Sequence, residues 1–531
     1  MQASSCNPNY TSLGPRVFAR IPQLVCVDTM EARGTETPDH DISSQGAHYA
    51  AAGETGPKNT GLSRHWITAI LFLGVFAFCV PTIPSADMWW HLSTGRYILQ
   101  NHSIPHTDPF SATIAGKPWT VHEWLSGVIF YFAYSMIGSA GLLLLTAFVL
   151  TLALWFAYER SGGPLVARIL SLALGVWAAS AIFSVRPQIF SYLLASAFLF
   201  VLSRYFQNGS YRLLILLPLL TILWVNLHGG YVLGLTLILL FAAGAVADWL
   251  AGQADAVTTK RRVVWLLLAC VACLMVVPLN PNGFAMFTYP FVTLKAWGAQ
   301  TDIMEWRSPD FHLAIFRPFA VLMLLTVAVL ALSPKRPRPS QILLLISFSY
   351  AALYSMRNLP FFVLVAFPLL AEYAFLPAWK FPAWGFGLQK AFQASAVLLV
   401  AVVCANVVSD HIAAELDREQ SRFPARAASF LDAQKLPAPL FNSYDFGGYL
   451  IWRLYPRYRV YIDGRTDLYG HTFLDNFIQV YEVNTDPRVA LNHDGIRTVL
   501  VESHSNLAAF LRTQTEWKRV YEDPVAVIFS R

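Results

Sequence analysis

Between Trp66 and Asp410 the chain carries one apolar run after another, each close to the roughly 20 residues a helix needs to cross a bilayer core. Hydrocarbon offers no water to a free N–H or C=O, so such runs must satisfy their backbone internally, as helices. The clear candidates are 66–83, 139–158, 164–183, 187–203, 212–227, 230–248, 261–279, 317–333, 340–356, 359–378 and 390–410. Only 13% of the 531 residues are charged, about half the share in soluble domains, so lipid must be part of the solvent. The run at Trp66 has no small-residue cleavage site after it and reads as a span rather than a signal peptide.

The net charge of +6 is spread as ones and twos between the apolar runs, which argues against a nucleic-acid surface and for topology signals. Arg160 with Arg168, Arg204 with Arg212, Lys260 to Arg262, Lys335 to Arg338, and Lys380 with Lys390 occupy every second connection, so those connections belong in the cytoplasm. The apolar stretch 122–137 breaks this alternation if it crosses. It is expected to lie at the outer interface, where Trp124, Phe130, Tyr131, Phe132 and Tyr134 suit the depth.

The fold class expected is therefore an α-helical polytopic membrane protein with about eleven transmembrane helices and a small extracytoplasmic α/β C-terminal domain. Residues 1–62, rich in Ser, Thr, Gly, Pro and acids, form a disordered cytoplasmic tail. Residues 63–410 form the transmembrane domain, with 84–138 as its first extracytoplasmic loop. Residues 411–531 form the outside domain, where the β-branched runs RYRVYIDGR, GIRTVLVE and VAVIFSR read as strands and 424–435 as a helix. Cys270 and Cys273 have CxxC spacing without a second pair and read as small packing residues.

This topology sorts the polar residues to one side. Arg186 and Gln188, Asn226 and His228, Arg357 and Asn358, and the loop 280–316 with Asn280, Asn282, Lys295, Asp302, Glu305 and Arg307 all fall outside. Ionisable residues at membrane depth are costly and mark sites, although each alone could snorkel or cap a helix. The first outside loop is the sharpest feature: Asp87 directly after the first span, Trp89, Trp90 and His91 at helical spacing, then His106, Asp108, and finally His122 with Glu123. Carboxylates and imidazoles at the bilayer surface can act as a general base. In the C-terminal segment, Asp445, Arg459, Asp463, Arg465 and Asp467 read mainly as turn-pinning residues.

An acid directly after the first span, a large outer loop ADMWWHLSTGRYIL…IPHTDPFS…GKPWTVHEWL, many further spans and an outside C-terminal domain resemble the GT-C superfamily of membrane glycosyltransferases, nearest to uncharacterised bacterial members. The resemblance implies transfer of a sugar from a polyprenyl-phosphate-linked donor to a lipid, glycan or protein acceptor on the outer side of a bacterial inner membrane. It implies Asp87 as catalytic base with Glu123 as the rival, cationic Arg186 and Arg357 at the departing lipid phosphate, and His91, His106, Asp108, His122, Gln188, His228 and Asn358 as substrate-binding residues. The acidic pair typical of the family is absent at Asp87, where His91 stands four residues on, and no WWDYG-like motif follows. With no carboxylate cluster of metal-ligand type, a metal-independent mechanism without a cofactor is expected. Two other functions fit the same pattern: a transporter or flippase, which would place polar residues nearer the midplane on broken helices, and a non-catalytic assembly protein with an outside binding domain.

Overall fold

Each apolar run expected to cross the membrane is occupied by a helix in the computed structural model, which describes residues 64–82, 86–296, 304–376 and 386–531. The expected tail, Asp302 and Lys380, and the side chains of Lys295 and Lys390, lie outside the described residues. In chain order the helices are α1 (Arg64–Phe78), α2 (Asp87–Asn101), α3 (Trp124–Ile137), α4 (Ser139–Arg160), α5 (Leu165–Ala179), α6 (Gln188–Asn208), α7 (Leu216–Leu227) and α8 (Val232–Leu250). They continue as α9 (Ala256–Val276), α10 (Ala285–Ala296), α11 (Arg317–Leu332), α12 (Pro339–Tyr354), α13 (Leu359–Tyr373) and α14 (Phe386–Arg422). Among the described residues, seven helical segments of 18 or more residues are long and apolar enough to cross a bilayer. The protein is thus a polytopic helical membrane protein with a small C-terminal sheet.

Burial separates the inner helices from the lipid-facing ones. Nearly every residue of α13 is buried, as befits a helix that is apolar all round and central. By contrast α9 turns Leu267, Leu268, Val271 and Met275 outward, a surface that only hydrocarbon suits. At one end of the bundle Lys335 pairs with Glu372, and Asp248 accepts from Ser340 N (2.9 Å) and Oγ (2.8 Å). These contacts are local ties between helix ends.

The opposite end carries α2 and α3, of 15 and 14 residues, packed on each other. A Cβ on Gly95 would stand 2.1 Å from Gly127 O, so the two backbones meet at this glycine pair and pack without a gap. Trp124 Nε1 donates to Asn226 Oδ1 (2.7 Å) and Ser126 Oγ to Leu227 O (2.5 Å), which fixes α3 against the end of α7.

The expected last span ends at Asp410, yet α14 runs on to Arg422. After it come α15 (Ala425–Gln434), β1 (Leu440–Asn442), α16 (Tyr444–Leu454), β2 (Thr498–Glu502), β3 (Lys518–Glu522) and β4 (Ala526–Ser530). The sheet has the order β1-β2-β4-β3, with β1 parallel to β2 and the other pairs antiparallel. GIRTVLVE and VAVIFSR contain β2 and β4, but RYRVYIDGR is a correction: it forms no strand. Asn442 serves this segment in place of a ladder, its Nδ2 donating to Ile462 O (2.8 Å) and its Oδ1 accepting from Tyr461 N (2.7 Å). Its single bridge runs from Val460 to Ser111 in the first loop.

The described residues from Arg64 to Arg531 fall in one compact unit. Phe423, Phe446 and Leu450 share a hydrophobic core with Trp89 and Phe130, while Phe441, Val499, Leu507 and Phe529 form a second core in the C-terminal segment.

Candidate functional site

Asp87 opens α2, and no side chain caps that helix, so capping does not account for Asp87. Its Oδ2 instead lies 3.0 Å from Arg186 of the α5–α6 connection, whose other nitrogen meets Glu305 of the loop after α10. Three separate chain segments thus deliver two carboxylates around one guanidinium. Burial pushes the Asp87 carboxyl above the usual range, against the opposing pull of Arg186. The side chains of Asp87, Arg186 and Glu305 keep 26%, 25% and 32% exposure, enough for a ligand to reach them.

The second group is built on Glu123. His122 Nε2 lies 3.1 Å and His228 Nε2 3.4 Å from its Oε1, and His91 Nε2 lies 3.6 Å from Oε2. Hydrogen bonding assigns the protons. His228 Nδ1 accepts from Gly230 N (2.9 Å) and sits 2.7 Å from Ser191 Oγ, which itself accepts from Trp224 Nε1 (2.7 Å). The Nδ1 lone pair is therefore occupied, and a neutral His228 carries its proton on Nε2, aimed at Glu123. His122 faces acceptors on both nitrogens, Thr120 O at 3.4 Å and Glu123, which suits an imidazolium.

The titration behaviour agrees. Burial lowers His91 to about 3 and His228 to about 4, so both are neutral. For His122, burial opposes the proton, but Glu123 outweighs it and holds the imidazole above its usual value. Burial likewise opposes the Glu123 charge, and the surrounding imidazoles, His122 first, hold its carboxyl well below the ordinary range. Asp87 and His91, four residues apart on α2, share a face and join the two groups.

Other expected residues fall nearby or elsewhere. Arg357 lies over the Trp306 ring at 5.2 Å, and its carbonyl accepts from Gln188 Nε2 at 3.3 Å. Asn358 caps the end of α12 through Ala351 O (3.1 Å). His106 lines a separate surface cleft of about 520 Å³ with Ile98, Leu99 and Pro281. Asp108 is fully buried and committed to Arg465 at 2.6 Å and to the amides of Phe110 and Ser111. Among the described residues no group of three or more His, Cys, Asp or Glu is arranged to hold a metal ion.

Sequence reasoning named Glu305 only as one polar residue of the loop 280–316, and did not name Ser191, Trp224 or Tyr289. Tyr289 stacks on His122 at 4.3 Å and donates to Asp467 Oδ2 (3.0 Å). For Glu305 a signal existed, a carboxylate beside Trp306 and Arg307 in a polar connection between apolar runs.

No family model matches the sequence, and no curated protein matches it either. Solved structures do. A mutant form of the arabinofuranosyltransferase AftD from Mycobacteria is similar with a TM-score of 0.51 at 15% identity, over 88% of this chain and 42% of that one. The oligosaccharyltransferase AglB from Archaeoglobus fulgidus, solved with an inhibitory peptide and a dolichol-phosphate, gives 0.49 at 12% identity over 83% and 69%. ArnT from Cupriavidus metallidurans bound to undecaprenyl phosphate gives 0.46 at 15% over 88% and 97%. The resemblance to GT-C membrane glycosyltransferases is thus one of fold, carried by the AftD comparison; this chain spans less than half of that protein.

Proposed function

We propose that the protein is a membrane glycosyltransferase that moves a sugar from a polyprenyl-phosphate-linked donor to an acceptor at the outer face of a bacterial inner membrane. The observation that carries this reading is the convergence of Asp87, Arg186 and Glu305, from three segments, beside the Glu123 imidazole cluster at one end of an AftD-like bundle. The topology proposed with it is eleven crossings, with the N-terminus in the cytoplasm and the C-terminal segment outside.

Asp87 is the base. As the acceptor oxygen attacks the anomeric carbon, its proton passes to the Asp87 carboxylate, and the bond from that carbon to the donor phosphate breaks with its electron pair leaving on the phosphate. A carboxyl held above the ordinary range suits this task better than Glu123, which its imidazoles hold too acidic. Glu123 organises His91, His122 and His228 instead. The charge that builds on the departing phosphate is met by Arg357, which among the described residues has no carboxylate partner, and by the His122 imidazolium. Arg186 orients Asp87 and is the third cation of the site.

The test uses the full chain in lipid nanodiscs with a panel of polyprenyl-phosphate sugars. Asp87→Asn keeps size and hydrogen bonding but removes the base, so transfer should fall about 10²- to 10⁴-fold while donor binding and folding persist. Near-wild-type transfer by the folded variant removes Asp87 from the mechanism, and binding without transfer by the unsubstituted protein favours the transporter reading.

A further inference from the structure

The C-terminal segment reaches into the Asp87 site at one residue. A Cβ on Gly464 would stand 2.0 Å from Asp87 Oδ1, 3.2 Å from its Cγ and 3.3 Å from Trp90 Nε1. Gly464 is not among the glycines with positive φ. Its backbone is one that any residue can adopt, so what the glycine supplies here is space.

The turn that carries Gly464 cannot retreat. Asp463 Oδ1 accepts from Arg465 N (3.0 Å) and Nε (2.8 Å), and its Oδ2 from Arg465 Nη2 (2.7 Å) and the Tyr469 hydroxyl (2.8 Å). Arg465 crosses to Asp108 of the first loop and lies 4.6 Å over the Trp119 ring. Behind the turn α16 stands against it: a Cβ on Gly447 would come within 2.1 Å of Ile462 O and 2.7 Å of Asp463 Cα. Between a turn fixed on both sides and the end of a flexible side chain, the carboxylate is the partner that moves.

We infer that Gly464 is a positioning residue of the transfer site: its missing side chain is the slot that sets the Asp87 carboxylate against Arg186, so that the C-terminal segment completes the site. This rests on Asp87 being the base. A methyl group in the slot turns the carboxylate away from Arg186 and removes water from it. Both effects favour its protonated form.

The experiment is Gly464→Ala in the full chain in nanodiscs, with Lys117→Met as comparison. Lys117 Nζ donates to Leu468 O at 2.5 Å, so its loss loosens the same contact surface without touching Asp87. Gly464→Ala should lower kcat roughly 10- to 100-fold, the scale of a misplacement near 1 Å, with the donor KM unchanged. The acidic limb of the pH profile should move to higher pH. The Asp87 carboxyl band, identified by infrared difference against Asp87→Asn in aspartate-labelled protein, should titrate higher as well. Unchanged kcat and titration overturn the inference. So does an equal shift in Lys117→Met, which assigns the effect to docking. If the unsubstituted protein transfers no sugar, the transferase reading fails, and the carboxyl titration still decides whether Gly464 sets Asp87. If Gly464→Ala does not fold, the double variant with Asp87→Ala removes the group the methyl strikes; recovery of the fold supports the contact, and continued misfolding refutes it.

Discussion

Replacing Glu123 by Gln isolates the charge at the centre of the imidazole cluster. The substitution keeps the size and one acceptor oxygen, so any loss belongs to the negative charge. At the 3.1 Å separation from His122, Coulomb attraction at an effective dielectric of about 20 is about 5 kcal/mol. Desolvation of both groups takes back part of this, which leaves the net value of a charge-assisted hydrogen bond, about 1.5 to 3 kcal/mol. Side-chain exposures of 13% and 18% mean that solvent screening removes little of it. The pH dependence follows from the two directions. Glu123 titrates below its unfolded value of about 4.3, so its contribution is complete above that pH and fades as pH falls towards the native value. His122 titrates above its unfolded value of about 6.5, so its contribution is complete below that pH and is lost as pH rises through the native value. The stability gap between wild type and Glu123→Gln should therefore be widest between about pH 4.3 and 6.5 and shrink in alkali. Denaturant titration in mixed micelles at pH 5.5 and pH 10 measures both. A gap that is the same at the two pH values, or below about 0.5 kcal/mol, refutes the imidazolium–carboxylate pairing.

Three further expectations are more direct. Arg357→Gln should weaken binding of a polyprenyl phosphate by roughly 10- to 100-fold, the worth of one charged hydrogen bond, with folded yield unchanged; unaltered binding in a lipid-displacement assay makes Arg357 a snorkelling residue. Arg465→Met strands Asp108 and Asp463 in a dry interior and should cost about 3 to 5 kcal/mol, visible as thermal release of the C-terminal segment from the first loop; a melting profile like wild type would show the pairing to be idle. A phosphatase joined after Arg422, where α14 ends, should be active, and activity only after Arg160 or Lys335 would invert the sidedness on which every site residue depends.

The spans were legible because lipid leaves a helix no alternative, and each apolar run from Trp66 onward has its helix. The meeting of His91, His122, Glu123 and His228 was legible in outline, since charge alternation places their connections at one end of the bundle. The bond between Asp87 and Arg186 was not, because charge alternation assigns connections to an end of the bundle and leaves the pairing of side chains there to packing. The partner of Glu305 was illegible for a similar reason: a loop residue reaches its partner along a path that packing decides. RYRVYIDGR misled through its β-branched residues. Propensity there yields to Asn442, whose side chain takes the backbone groups a neighbouring strand would take. Asp108 looked like a surface carboxylate near the lipid, and only the docking of Arg465, 357 residues away in sequence, buries it.

That separation has a consequence for synthesis. The first loop leaves the ribosome early, yet the residue that neutralises Asp108 and the turn that backs Asp87 are made more than three hundred residues later. A nascent chain can insert its helices one by one and still hold no finished site. Termination after Arg422 but before Gly464 would leave the apolar helices without the turn that backs Asp87, with a buried-type carboxylate at Asp108 open to water and a proteolytically soft loop at the membrane surface.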